Sequence, residues 1–446
     1  MRLVSGSSGH IPASTDQLVQ RMLCPLTGLN QTIGFVLHDP MEPRLAVAGG
    51  EMTGVHVLRG SRPPRPGAYH IGGAGTSYAE ALIKTLGETI ERYSHFAALA
   101  GGLPISAASL RTMRATGAAA MLPNTSELYS VEQLTRPGFP FVALGDDDEI
   151  GWIQAGSLKT GEIVAVPAQQ MLVGYARAAG EPPFTAGVTT GSAAHTSPGS
   201  ALRNALLEVV QIDSAIGCWY GRQRPVRIAL DGRVALALGA INRTLHRHGP
   251  SLRFFWMPNA DLPGFSIACL VESGDVPRIG VGLGCDLRLS HAIYKAFLEG
   301  VAVAHLAKIV LFRQRVEATA GVADAPTGLF YDLDSNVGHY AEGYDAEVIA
   351  MCFPDQPAIA ASDMGEDNCG SPNDDAALLV EAMAATGKRL AILDLTTPDV
   401  ADLGFTALRV WSPDTLSLPL PSAPAVCHPR FAAYGGVVHA RPHPLP

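Results

Sequence analysis

The chain has 446 residues, 47% hydrophobic and 16% charged, enough for a large core in one big domain or two ordinary ones. Its net charge of −9, from 32 basic and 41 acidic residues, offers no basic footprint for nucleic acid or an anionic membrane. The 47 glycines and 33 prolines describe a globular protein with many loops and turns.

The N-terminal MRLVSGSSGHIPAST lacks the apolar run of a signal peptide, and residues 1–20 read as an extension ahead of a main domain over 21–446. Strands and turns are expected up to about Leu58, where QTIGFVLHD is β-rich and HDPMEP is a turn signal. GSRPPRPG (60–67) is a loop. HIGGAG then leads through Thr76 and Ser77, both suited to N-capping, into a helix that runs to the next glycines. A mixed region with strand-like pieces follows to about Tyr175. TAGVTTGSAAHTSPGS reads as a Gly/Ser/Thr-rich loop before a second helix. SLRFFWM and FSIACLVES are strand-like, and GVGLGCDLRLS leads as a loop into a third helix. The apolar part of that helix, Gly300 to Phe312, is interrupted by His305 and Lys308 and is too short and polar to span a bilayer. AEVIAMC and RLAILDLT suggest a later α/β portion, and residues 412–446 form a Pro-rich tail. The whole reads as a large α/β arrangement. Seven cysteines without a CxxC pair give no expectation of a zinc site or a disulfide framework, and a reduced, cytoplasmic setting fits.

Each of the three helices carries a polar stripe when its residues are set about 100° apart. In the first, Thr85, Glu88, Glu91 and Arg92 share a side opposite Leu82, Leu86 and Ile90. In the second, Asn204, Glu208 and Gln211 align against Leu202, Leu206 and Val209. The two segments align weakly with each other from Ala81 and Ala201, so that Glu88 falls on Glu208. Ordinary solvated faces would account for both. The third helix is apolar nearly all round, which predicts burial, yet it holds Lys295 and Glu299 one turn apart. Those charges need each other, a metal or a phosphate. The Gly-rich lead-ins can bring backbone N–H groups to phosphate oxygens. Walker A, GxSxG and HExxH patterns are all absent. A nucleotide site here would use carboxylates from separate helices to hold magnesium, with Arg92 and Lys295 on phosphate oxygens.

These residues resemble the YcaO-domain proteins, which bind ATP and Mg2+ through three scattered motifs. The family's SxxExxER is TLGETIER here, with Thr85, Glu88, Glu91 and Arg92. Its Sx6ExxxExxQ is met by Ser197, Asn204, Glu208 and Gln211, with Asn204 replacing a glutamate. Its RxxxE is KAFLE, with Lys295 and Glu299. CPLTGL near the start also resembles the family's opening. The resemblance implies an α/β (α+β) fold of mixed sheets, magnesium on Glu88, Glu91, Glu208 and Glu299, and nucleotide on Thr85, Arg92, Ser197, Asn204, Gln211 and Lys295.

The chain finishes RPHPLP, a PxPxP of Pro442, Pro444 and Pro446. Alone, this reads as a disordered tail or an SH3-type ligand. Within the resemblance it points to the azoline-forming branch, where such a tail enters the active site with the Pro446 carboxylate as an acid/base or positioning group. The implied function is ATP-dependent cyclodehydration of Cys, Ser or Thr in a ribosomally made precursor peptide. The implied partners are an E1-like leader-binding protein, an FMN-dependent azoline dehydrogenase and a second copy of this chain within a larger complex. Two other readings are a YcaO enzyme that uses an external nucleophile to form a thioamide, and a non-catalytic scaffold of a modification complex.

Overall fold

Among the described residues, runs of alternating and continuous apolar residues, broken by turn residues, build three sheets. β1 (Asn30–Phe35), β2 (Ala46–Met52) and β3 (His70–Gly75) form an antiparallel sheet in that order. A second sheet takes the order β4 (Ile105–Ser109), β5 (Glu149–Ser157), β13 (Ala391–Asp394), β14 (Thr406–Trp411), β7 (Ser192–His195), with β6 (Ile163–Pro167) also on β5. The third runs β11 (Ile279–Asp286), β10 (Phe265–Glu272), β9 (Ser251–Trp256), β8 (Val226–Ala229), β12 (Ile359–Ala360). The computed structural model describes residues 13–58, 60, 70–117, 119–122, 128–320 and 329–446. Most of the expected N-terminal extension (1–12) and of the GSRPPRPG loop (61–67) lies outside the described residues.

Three long helices lie between the sheets: α3 (Tyr78–Ala100), α7 (Pro198–Tyr220) and α9 (Leu289–Thr319). The shorter ones are α1 (Ala13–Met22), α2 (Val55–Leu58), α4 (Leu110–Ala115), α5 (Val131–Thr135), α6 (Ala168–Met171), α8 (Ala235–Thr244), α10 (Ser335–Ala341), α11 (Ala346–Cys352), α12 (Pro372–Ala385) and α13 (Pro398–Asp402). α1 departs from the expectation of strands and turns up to Leu58. Its sequence ASTDQLVQRM places Leu18, Val19 and Met22 on one face against the core beside α3, which is helical spacing. Among the described residues no helix is long and apolar enough to cross a membrane.

Two of the three Gly-rich lead-ins are strands rather than loops. GGAG lies within β3 and GVGLGCD is β11, and both are packed against the helix that follows them. A Cβ on Gly73 would lie 2.5 Å from the Ala81 carbonyl oxygen, and one on Gly282 would lie 1.9 Å from the Gly300 nitrogen. Glycine is what lets the strand backbone touch the helix backbone. SAAH in the third lead-in is likewise strand β7.

The result is three strand–helix units, β3–α3, β7–α7 and β11–α9. Leu82, Leu86 and Ile90 on α3 are 0% exposed. Each such side chain contributes roughly 1.5–3 kcal/mol relative to exposure. The first half of α9 is buried as its all-round apolarity predicts, with Ile293 and Phe297 fully enclosed.

Candidate active site

The capped starts of the helices set the register of the polar stripes. The Ser77 hydroxyl accepts from the Glu80 N–H at 3.2 Å, and the Ser197 hydroxyl accepts from the Ser200 N–H at 3.4 Å. From α3 come Glu88, Glu91 and Arg92. The Glu88 carboxylate accepts from the Gly72 N–H of β3 at 2.8 Å and from Arg92 at 3.2 Å. From α7 comes Glu208, which takes the Gly191 N–H at the entry to β7. From α9 comes Glu299, which takes the Leu283 N–H of β11.

These four carboxylates lie near enough to couple electrostatically. Glu91 feels Glu208 and Glu88, Glu208 feels Glu299, and Glu299 feels Glu88, so the electrostatic contacts close a ring across three helices. Burial and then repulsion from Glu208 push Glu91 well above the usual carboxylate range. Burial lifts Glu208 to about 8 despite Arg409 and Arg92, with Glu299 adding to the rise. Glu299 is lifted to about 7, again by burial, with Glu88 adding to it. Recessed carboxylates that crowd each other hold protons unless a cation relieves them.

Two guanidiniums oppose the ring. Burial works against the charge of Arg92, but Glu88, Glu91 and Glu208 outweigh it and hold the group above its ordinary pKa. Arg409, on β14, is 0% exposed and donates to the carbonyls of Thr190 and Gln170. Burial draws it down to about 10, against the pull of Glu208 and Glu91. Its Nε, like that of Arg92, has no partner. Sequence reading missed Arg409. The available signal was an arginine inside the apolar run TALRVW, since a charge buried in a strand must face another charge.

Lys295 does not pair with Glu299. It donates to Asp286 at 2.9 Å and to the Cys285 carbonyl at 3.1 Å. Asp286 is 1% exposed and also takes Arg203 at 2.7 Å, and Lys295 and Arg203 hold it below the usual range although burial opposes them. A second lysine that sequence reading passed over, Lys84, bonds to Glu80 at 2.9 Å and to the Ala74 carbonyl at 3.0 Å. Partial desolvation lowers it, and repulsion from Lys295 lowers it further, so the two ammonium groups face the same region.

The remaining expected residues sit at the edge of this arrangement. The Thr85 hydroxyl is fully buried and donates to the Ala81 carbonyl at 2.9 Å. Asn204 Oδ1 takes a long 3.4 Å bond from Arg203, and Gln211 lies half-buried a turn beyond Glu208. The tail is docked rather than loose. Asn336 donates to the carbonyls of His443 (2.7 Å) and Leu445 (2.8 Å), and Tyr340 donates to that of Pro442 at 2.6 Å. Leu445 joins an apolar cluster with Leu283, the residue whose N–H meets Glu299.

With this geometry in place, comparison with known proteins is decisive about kinship. Residues 72–416 match the family described as YcaO cyclodehydratase, ATP- and Mg2+-binding. The chain belongs to the YcaO family. Its fold is similar to that of a heterocyclase in complex with substrate and cofactor, with a TM-score of 0.72 and 18% identity over 98% of this chain and 58% of that one. It is similar too to YcaO from Methanopyrus kandleri bound with AMPPCP and Mg2+, with a TM-score of 0.54 and 18% identity over 86% of each chain. A chain of the E. coli microcin synthetase McbBCD complex gives a TM-score of 0.59 at 13% identity, over 93% of this YcaO chain and 97% of that one. At such identities the likeness is one of fold. The chain spans 58% of the length of the heterocyclase. No curated protein matches it.

The donor set fits the cofactors of the YcaO family. Mg2+ takes hard oxygen ligands and is held by a few carboxylates together with substrate phosphates. With all four carboxylates ionised, the two guanidiniums beside them would leave two negative charges for one divalent cation to balance.

Proposed function

We propose that this YcaO protein is an ATP-dependent cyclodehydratase that turns Cys, Ser or Thr of a ribosomally synthesised precursor peptide into thiazoline or oxazoline rings. The observation that carries this reading is the under-compensated carboxylate ring of α3, α7 and α9. In the reaction the thiol or hydroxyl adds to the preceding amide carbonyl. ATP phosphorylates the resulting oxygen, and loss of phosphate with the amide proton leaves the C=N bond of the ring. An amide oxygen is a poor leaving group and phosphate a good one, so the protein's work is positioning and charge stabilisation.

Mg2+ supplies neutralisation of phosphate charge, and Glu88, Glu91, Glu208 and Glu299 would hold it. Arg92, Lys295 and Lys84 serve the phosphate oxygens, with Asp286 and Glu80 fixing the two lysines. Ser197, Asn204 and Gln211 lie on the nucleotide side. Thr85, whose hydroxyl is turned back onto the Ala81 carbonyl, lies on the same helix behind the carboxylates. The docked segment Pro442–Pro446 would serve to position the reacting amide, a reading supported by its being tied to the fold rather than loose and by Leu445 sharing an apolar cluster with Leu283 of β11. Asn336 and Tyr340 hold it there, and prolines lose little entropy on docking.

By its name, one neighbour structure is the McbBCD complex with pro-MccB17 bound. We infer for this chain a peptide substrate and an E1-like partner that binds the leader. An FMN-dependent dehydrogenase and self-association into a dimer belong to the same reading. The test is mass spectrometry of a precursor peptide incubated with this protein, its partner, ATP and Mg2+. Loss of one water per ring, about 18 Da, is expected. Exchange of oxygen for sulfur would replace this reading by thioamide formation, and an unchanged peptide without ATP turnover would leave a scaffold.

A further inference from the structure

Away from the carboxylate ring, the connection between β1 and β2 meets the middle of α9. His38 and Glu42 of the connection and His305 of the helix each bring a ligand atom to within 4.8 Å of the others. His305 is 4% exposed, its Nδ1 has no hydrogen-bond partner, and the Nδ1 of His38 has none either. The two rings lie 5.2 Å apart between centroids. His305 Nδ1 stands 4.0 Å from Glu42 Oε1, too far for a hydrogen bond and close enough for an atom between them. Orphaned buried ring nitrogens are costly and ask for an explanation.

We propose that His38, Glu42 and His305 form a binding site for a divalent transition metal of the Zn2+ class. Two imidazoles and a carboxylate are a donor set that Zn2+ accepts with a fourth position left to water, whereas Mg2+ avoids imidazole. Tetrahedral ligands about 2.0–2.1 Å from the metal stand roughly 3.4 Å apart, so the three atoms draw inward by about 1 Å on binding. Glu42 Oε2 accepts the Asp39 N–H at 2.8 Å, which orients the carboxylate. Lys308 now touches Glu42 Oε1 and also bonds to Asp39 at 2.8 Å. Its side chain is 36% exposed, so it can turn to Asp39 and leave that oxygen to the metal.

The metal would pin the β1–β2 connection to α9 less than two turns beyond Glu299, and so hold the helix that carries Lys295 and Glu299. The cysteine pattern made a zinc site unexpected. This one uses histidines and a carboxylate that only the fold brings together. The inference does not rest on the cyclodehydratase reading.

The experiment is titration of the full-length protein with Zn2+ and with Co2+, in excess Mg2+ to fill the carboxylate ring. Bound metal is read by mass spectrometry of the dialysed protein and by the visible bands of Co2+. One equivalent is expected, with intense bands typical of four-coordinate Co2+, retained in Glu91→Gln. His38→Ala and Glu42→Gln should bind at least tenfold more weakly and lose those bands. Glu42→Gln is conservative and half-buried, and circular dichroism checks its folding. A wild-type protein that keeps no Zn2+, or variants that bind it as tightly as wild type, would overturn the proposal.

Discussion

Two charged clusters share α7 little more than a helical turn apart, and they are built on opposite plans. Around Asp213 every charge is answered. Arg430 meets Asp213 at 2.6 Å and Asp261 at 2.8 Å, and Lys388 closes on Asp261. Tyr434 (2.8 Å), Asn259 (3.0 Å) and the Leu416 N–H (2.8 Å) complete the Asp213 oxygens. Two carboxylates face two cations. Around Glu208 four carboxylates face two guanidiniums, and Glu91, Glu208 and Glu299 are all raised by burial. A balanced, fully bonded cluster holds the fold together. Carboxylates that burial keeps from ionising are suited to a cation from outside the protein.

Breaking the balanced cluster should have the largest effect on the fold. Arg430→Ala leaves Asp213 buried without its cation, and we expect a loss of about 3–5 kcal/mol, read by urea unfolding. The same kind of change at the unbalanced cluster should cost function instead. Glu91→Gln should lower peptide-dependent ATP turnover by on the order of 10²–10³-fold while unfolding shows no loss of stability. A fall in stability matching that of Arg430→Ala would make the ring structural. Deleting Pro442–Pro446 should reduce ring formation on the order of tenfold or more, with nucleotide affinity kept, because positioning of the amide and not ATP is lost.

The smallest effect concerns pH. Glu208 at about 8 and Glu299 at about 7 lie above their ordinary value of 4.5, so the folded protein binds these protons more tightly than the unfolded chain. Their contribution to stability is complete below 4.5 and is lost as pH rises through 7 to 8. Mg2+ bound by these carboxylates would take the place of the protons. Its stabilisation should therefore grow from pH 6 to pH 9, by a few degrees in Tm, and shrink in Glu208→Gln, as checked by thermal unfolding.

Much of the site was legible because its motifs ride on helices. The period of 3.6 puts Glu88, Glu91 and Arg92 on one face whatever surrounds them, and likewise Glu208 with Gln211. The strands beside those helices were harder to read. GGAG and GVGLGCD have loop composition, and their glycines make sense only against the helix backbones they touch. Arg409 sits in the sheet rather than in a motif. Lys295, for which spacing left Glu299, a metal or a phosphate as partners, pairs with Asp286, which lies before the helix begins.

By itself the sequence determined what is periodic and local: three amphipathic or buried helices, the capping Ser77, the surplus of acid along the stripes and the Pro-rich end. Side-chain direction along a helix follows from backbone geometry, which needs no neighbour. The tertiary structure decided which charges meet. The coupling of four carboxylates across three helices, the burial of Arg409 within reach of Glu208 and Glu91, the docking of the tail on Asn336 and Tyr340 and the meeting of His38 with His305 all join residues far apart in sequence. Electrostatic coupling depends on distance and burial, and the fold alone sets those.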